Sequence, residues 1–145
     1  MRAQLLSACA GLLLILAGEA GADPRADGRL YADLGGADGV AALVDQFLWN
    51  LADDRRVNHF FVETKLERFR SKLIEHICML AGGPCRYSGD NMHQVHGGLG
   101  IDEADFNAVV EDLIEAMESR ALGTGTQNRL LALLAPMHGD IVERR

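Results

Sequence analysis

Apolar side chains recur at helical spacing along most of the chain. Val40, Leu43, Val44, Phe47, Leu48 and Leu51 repeat every three or four residues and predict an amphipathic helix. A brief segment, Leu30 to Leu34, and the pair Gly35-Gly36 precede it. Asp53-Asp54-Arg55-Arg56 breaks the stripe with a polar turn, and Val57 to Phe61 fits a single turn carrying two adjacent phenylalanines. A second stripe, Leu66, Phe69, Leu73, Ile77 and Leu80, predicts a helix from Lys65 to about Ala81. Gly82-Gly83-Pro84 stops it, since glycine tolerates the left-handed exit and proline cannot continue a helix.

The stretch from Cys85 to Asn91 is polar and carries the turn signal Ser88-Gly89; Met92-His93-Gln94-Val95-His96 is then a short run closed by Gly97-Gly98-Leu99-Gly100. Asp102 is a good N-cap for the clearest stripe in the chain, Phe106, Val109, Val110, Leu113, Ile114 and Met117. Gly123-Thr124-Gly125-Thr126 ends that helix and caps the last, which runs through Leu130, Leu131, Leu133 and Leu134 to Val142 with a kink expected at Pro136. No stretch alternates with period two and no internal repeat is evident, so the expected class is all-α, with four main helices joined by glycine-rich turns.

Residues 1–22 follow a different pattern. A basic start, Met1-Arg2, an apolar stretch from Leu5 to about Ala17 and small residues Ala20 and Ala22 read as an export signal cut before Asp23. The stretch is short for a membrane span, and an uncleaved membrane anchor is the competing reading. Leu6-Ser7-Ala8-Cys9 imitates a lipoprotein site, but its apolar segment follows the cysteine instead of preceding it. Residues 23–29 read as a flexible lead and residues 30–145 as one domain. Setting the leader aside leaves 123 of 145 residues and, because Arg2 and Glu19 go together, an unchanged net charge of -7. So acidic a chain lacks the clustered Lys and Arg that nucleic acid or an anionic membrane surface requires. Of three cysteines, Cys78 and Cys85 remain, and an even count in an exported chain favours a disulfide over two buried thiols.

No Gly-Lys-Ser/Thr loop or nucleophile elbow is present. The acids Asp45, Asp53, Asp54, Glu111 and Glu115 read as solvated faces. Histidine is more informative: His93 and His96 lie three apart on one short turn, and His96 is followed by Gly97-Gly98, which permits close approach. Cys78, Cys85, His93 and His96 also make a zinc-like set, although six residues between the cysteines is too many for the usual template. An iron porphyrin fits more of the chain. Lying between the second and third stripes, it would take His96 on its iron and Phe60, Phe61, Phe69, Leu73, Met92, Phe106, Val109 and Leu113 as its apolar walls.

The ordered set Tyr31-x-x-Leu34-Gly35-Gly36, Asp45-x-Phe47, Phe60-Phe61, Gly82-Gly83-Pro84, Tyr87-Ser88-Gly89, Met92-x-x-Val95-His96-x-Gly98-Leu99-Gly100-Ile101, Glu103-Ala104-Asp105-Phe106 and Ala135-Pro136 resembles a truncated haemoglobin of the first group, across nearly the whole domain. That resemblance implies a two-on-two helical sandwich enclosing haem b, with His96 as proximal iron ligand, Phe61 against the porphyrin face and Ile101 beside the cofactor. It places Leu48, Phe69 and Leu73 on the distal side. There the chain departs from the family, which usually has a tyrosine after Phe47 and often a glutamine one helix over; here the positions hold Leu48 and Leu73. Lys72 is expected at a propionate and His76 at the pocket edge, with a sixth-ligand role as the alternative for either; a Cys78–Cys85 bridge would brace the turn leading to His96.

The favoured function is a haem protein that reversibly binds oxygen, with nitric oxide or carbon monoxide as other diatomic ligands. A nitric-oxide dioxygenase or peroxidase-like enzyme, which needs bound oxygen to persist or an electron donor such as a reductase, and a cofactor-free helical interaction domain are the alternatives. An exported, periplasmic location follows from the leader, with membrane attachment only if the leader is kept.

Overall fold

A computed structural model describes residues 28–143. The leader and most of the proposed lead lie outside the described residues. Within them every regular element is helical: α1 (Arg29–Asp33), α2 (Gly36–Asp53), a 3-10 turn (Asn58–Phe61), α3 (Leu66–Leu80), α4 (Met92–His96), α5 (Glu103–Ser119) and α6 (Thr124–Leu134), then a 3-10 turn (Ala135–Met137) and α7 (His138–Ile141). None of these helices is long and apolar enough to cross a membrane.

The predicted stripes become the core. Val40, Leu43, Val44, Phe47 and Leu51 of α2 are buried, and they meet Ile77 and Leu80 of α3, Leu113 and Met117 of α5, and Leu130 and Leu133 of α6. Helix α2 is central, packing on both α3 and α5. Its start depends on a missing side chain: a Cβ on Gly39 would stand 1.9 Å from the Leu34 carbonyl oxygen, so only glycine lets α2 close on the end of α1. Helix α3 ends as Gly82-Gly83 predicts. Gly82 takes φ 81°, Gly83 N–H donates to Cys78 C=O at 2.8 Å and Gly82 N–H to Met79 C=O at 3.2 Å, the paired bonds of a Schellman stop. Asp102 caps α5 by accepting from the amides of Ala104 and Asp105, while Asp105 accepts from Asp102 N–H.

The last predicted helix is corrected. It does not bend and continue to Val142: Pro136 lies inside a 3-10 turn that separates α6 from the short α7. Proline removes an amide donor and crowds the preceding turn, so the α-helical hydrogen-bond pattern is interrupted there.

Two polar ties hold α2 to its neighbours. Arg70 of α3 donates to both oxygens of Asp45 on α2, at 2.5 and 3.0 Å, and holds the Asp45 carboxyl below the usual range. Asn50 of α2 donates to the Asp112 carbonyl of α5 at 2.9 Å. The Asp112 side chain itself is 5% exposed and its Oδ2 has no hydrogen-bond partner. Burial, and then the neighbouring Asp54 charge, push its carboxyl up to about 6. A carboxyl raised in the fold stabilises below its unfolded value, and that contribution is lost as pH rises through the folded value. Asp112→Asn should therefore gain about 2 to 3 kcal/mol over the parent above pH 6 and nothing near pH 3. Urea unfolding across that range checks this; a gain independent of pH would contradict it.

Candidate functional site

The capping box of Asn91 and Gln94 starts α4: Gln94 N–H donates to the Asn91 side chain at 2.9 Å, and Asn91 N–H to the Gln94 side chain at 3.3 Å. One turn later His96 Nδ1 lies 2.8 Å from the Met92 carbonyl oxygen. A carbonyl only accepts, so Nδ1 carries the proton and Nε2 is left with the lone pair, the tautomer a metal-binding imidazole needs. The glycine-rich segment after His96 is pinned from the other end of the domain. Glu143 accepts from the amides of Gly98 (2.7 Å) and Gly100 (3.1 Å), and its own amide donates to Ile101 C=O at 2.9 Å.

His96 lines an apolar slot of about 280 Å³. Phe47 and Leu51 of α2, Phe60 and Phe61 of the 3-10 turn, Phe69 and Leu73 of α3, and Phe106 and Val109 of α5 form its walls, with Ile101 alongside. The rings of Phe61 and Phe69 stack at 5.4 Å. Val95 and Leu99, on either side of His96 in sequence, line the same slot while 45% and 46% exposed, apolar surface left for something to cover.

A second cavity of about 490 Å³ shares Thr64, Phe69, Leu73, Val95 and His96 with the slot and forms its mouth. Lys65, Arg68 and Lys72 line it, together with His76, Tyr87 and Met92. Lys72 Nζ is engaged there by Glu75 at 3.0 and 3.1 Å and by Ser88 Oγ at 2.5 Å. Glu75 also accepts from the amide and hydroxyl of Ser88, and these bonds with that of Lys72 hold its carboxyl down at about 2. His76 is buried, packs against Tyr87 with the rings tilted and their centres 4.7 Å apart, and has its pKa lowered by burial. Cys78 and Cys85 are joined in a disulfide, Cα atoms 5.7 Å apart, which excludes both from the zinc-like set. Glu75, the His76–Tyr87 ring contact and the disulfide thus tie α3 to the loop that delivers α4 and His96.

Most of the residues singled out in the sequence are brought together, with three exceptions. Leu113 is 6% exposed in the core and lines neither cavity, because it falls on the α2-facing side of α5. Met92 lines the mouth and not the slot. Leu48 opens on an adjoining cavity of about 420 Å³, shared with Leu51, Phe61, Thr64 and Phe69. His93 is exposed. Phe47, Leu51, Val95 and Leu99 were not assigned to the site by sequence; the first two were readable only as core, although their spacing placed them on the face of α2 that meets α3.

A profile of the bacterial-like globin family matches residues 29–143. The chain is 30% identical over 112 residues to the group 1 truncated haemoglobin GlbN of Mycolicibacterium paratuberculosis, covering 77% of this chain and 82% of that one. It is 27% identical to the group 1 truncated haemoglobin of Tetrahymena pyriformis, over 78% and 93% of the two chains. The crystal structure of the Tetrahymena pyriformis protein in its Fe(III) form superposes with a TM-score of 0.76, covering 79% of this chain and 98% of that one at 27% identity. The 2/2 haemoglobin of Synechococcus sp. PCC 7002, solved in the cyanomet state with covalently attached haem, gives a TM-score of 0.74 at 25% identity over 79% and 98%.

Proposed function

The chain belongs to the bacterial-like globin family, among the group 1 truncated haemoglobins, and with haem b as cofactor it binds a diatomic gas; we propose that the gas is oxygen, held reversibly and released quickly, with His96 as the protein ligand of the iron. The residues present fit the cofactor. A flat apolar ring system would be held by the apolar side chains that line the slot, Phe61, Phe69, Leu73, Phe106 and Val109, and would cover Val95 and Leu99. His96 offers Nε2 as its tautomer dictates. Lys65 and Arg68 at the mouth suit the two propionates, while Lys72 is held by Glu75 and Ser88. Haem iron supplies the reversible coordination of a small gas molecule.

The observation that carries the oxygen reading is the chemistry of the far wall. Phe47, Leu51, Phe61, Phe69 and Leu73 have no hydrogen-bond donor, and among the residues that line the slot the one hydroxyl belongs to the exposed Thr64. These side chains exclude water and admit a neutral gas without gripping it. A dioxygenase needs oxygen retained until nitric oxide arrives, and this wall does not retain it. The test cycles the ferrous protein between air and argon. A Soret band near about 400 nm that shifts and returns over repeated cycles is expected. Oxidation within one cycle, or rapid consumption of nitric oxide on mixing with the oxygenated protein, would favour the enzyme.

The same proposal places the protein in an exported, oxidising compartment. The leader pattern of residues 1–22 and the Cys78–Cys85 bridge both support that location. Closing so short a loop is worth about 2 to 3 kcal/mol. Reduction should cost that much stability and speed haem transfer to an excess of apoglobin, because the bridge braces the loop before His96. An unchanged transfer rate rejects the bracing role, and the mass of exported protein under nonreducing conditions reports leader cleavage after Ala22 and the bridge together.

A further inference from the structure

His96 is the last residue of α4, a helix of five residues, and three of the next four positions are glycine: Gly97, Gly98 and Gly100. Neither feature holds a side chain still. So short a helix is unstable by itself, and Gly98 and Gly100 take φ 81° and 69° with nothing within 4 Å of where a Cβ would stand. The capping box fixes the start of α4 and the Met92 carbonyl fixes the ring of His96, but neither fixes the backbone that leaves it. We propose that Glu143 is the positioning residue for His96: its carboxylate sets where the imidazole stands at the slot, and with it the iron–histidine bond and the retention of haem. The proposal rests on His96 being the iron ligand.

The bonds converge on one atom. Glu143 Oε1 accepts both from Gly98 N–H at 2.7 Å and from Gly100 N–H at 3.1 Å, and the Glu143 amide donates to Ile101 C=O at 2.9 Å. Within the segment Leu99 N–H reaches His96 C=O at 3.3 Å, a longer bond than any of these. Amides that donate to a carboxylate make charge-assisted bonds, about twice as strong as neutral ones. One side chain thus immobilises two residues whose own conformational freedom is the largest in the segment.

Glu143 can anchor the segment because the stretch before it is itself fixed to the slot. Helix α7 packs on α4, and its Ile141 lines the slot. His138 Nε2 lies 2.8 Å from Glu103 Oε2, and the His138 ring meets Phe106 edge-on at 4.7 Å. Glu103 and Phe106 belong to α5, so the stretch from His138 to Glu143 bridges the α5 wall of the slot to the loop that leaves His96. Groups that hold a metal ligand from outside the coordination sphere tune the metal it binds.

The test compares haem-loaded Glu143→Ala, Glu143→Gln and Asn50→Ala with the parent. Asn50→Ala removes a tie between α2 and α5 and leaves the Glu143 bonds in place, so it reports general loosening. Resonance Raman spectra of the ferrous, ligand-free proteins give the iron–histidine stretching band, and mixing with excess apoglobin gives the rate of haem transfer. Glu143→Ala should shift or broaden the band and speed transfer by about three- to tenfold. Glu143→Gln keeps an accepting oxygen at the same reach and should stay near the parent in both, while Asn50→Ala should leave the band in place. Parental values in Glu143→Ala overturn the proposal; so does an equal band shift in Asn50→Ala, or a glutamine variant as impaired as the alanine one. Glu143 follows the last helix, and its backbone bond to Ile101 survives substitution, so a shifted band is not loss of fold. A parent protein without an iron–histidine band overturns the assignment of His96 and this proposal together, whereas a parental band that no variant moves overturns the role of Glu143 alone.

Discussion

His96→Ala is expected to abolish the Soret band of the purified protein and to lower its thermal midpoint by about 10 to 20 °C. The figure comes from linkage. A ligand present at about a thousandfold its Kd stabilises the native state by about 4 kcal/mol, and in a domain of this size each kcal/mol moves the midpoint by several degrees. The slot without its cofactor also leaves Val95 and Leu99 in water. Two controls separate ligation from packing. His93→Ala, three residues away and exposed, should keep full haem content. His96→Gly supplemented with imidazole should recover the band, because the free base restores the lone pair that the Met92 carbonyl otherwise orients in His96. Full haem loading of His96→Ala without imidazole would remove His96 from the site.

The apolar stripes were legible because burial on a helix repeats at its own period. Val40, Leu43, Val44, Phe47 and Leu51 show it on α2, and the Gly82-Gly83 stop shows that a turn with one steric solution is readable too. His96 stood out through its glycine context and the family-like order around it. What stayed hidden depends on contacts between distant parts of the chain. Glu143 pinning Gly98 and Gly100 spans more than forty residues and has no local pattern. Asp112 occupies a buried position on α5, but an acid interrupts the stripe and is read as solvent-facing. Leu113 and Val109 belong to the same stripe, yet one meets the core and the other the slot, a division set by where α2 crosses α5. Leu48 follows Phe47 by one position, and that single step of rotation carries it from the slot to the neighbouring cavity.

That last placement makes the distal wall testable by contrast. Leu73→Gln should slow oxygen dissociation by about ten- to a hundredfold, since a hydrogen bond to a polarised ligand in a dry pocket is worth about 1.5 to 3 kcal/mol. Leu73 lines both the slot and its mouth, so a glutamine there has open space on either side. Leu48→Tyr should do less, because Leu48 opens on the cavity that Phe61 and Phe69 also line, and a hydroxyl placed there must pass those stacked rings. The pair of variants distinguishes a missing donor from a generally loose pocket. If fast release reflects only the absent donor, Leu73→Gln alone slows dissociation and leaves association nearly as it was. Equal slowing by both variants would mean that the Phe61–Phe69 stack opens when haem is bound. No change in either, measured by stopped-flow displacement of oxygen with carbon monoxide, would show that the apolar far wall does not set the rate of release.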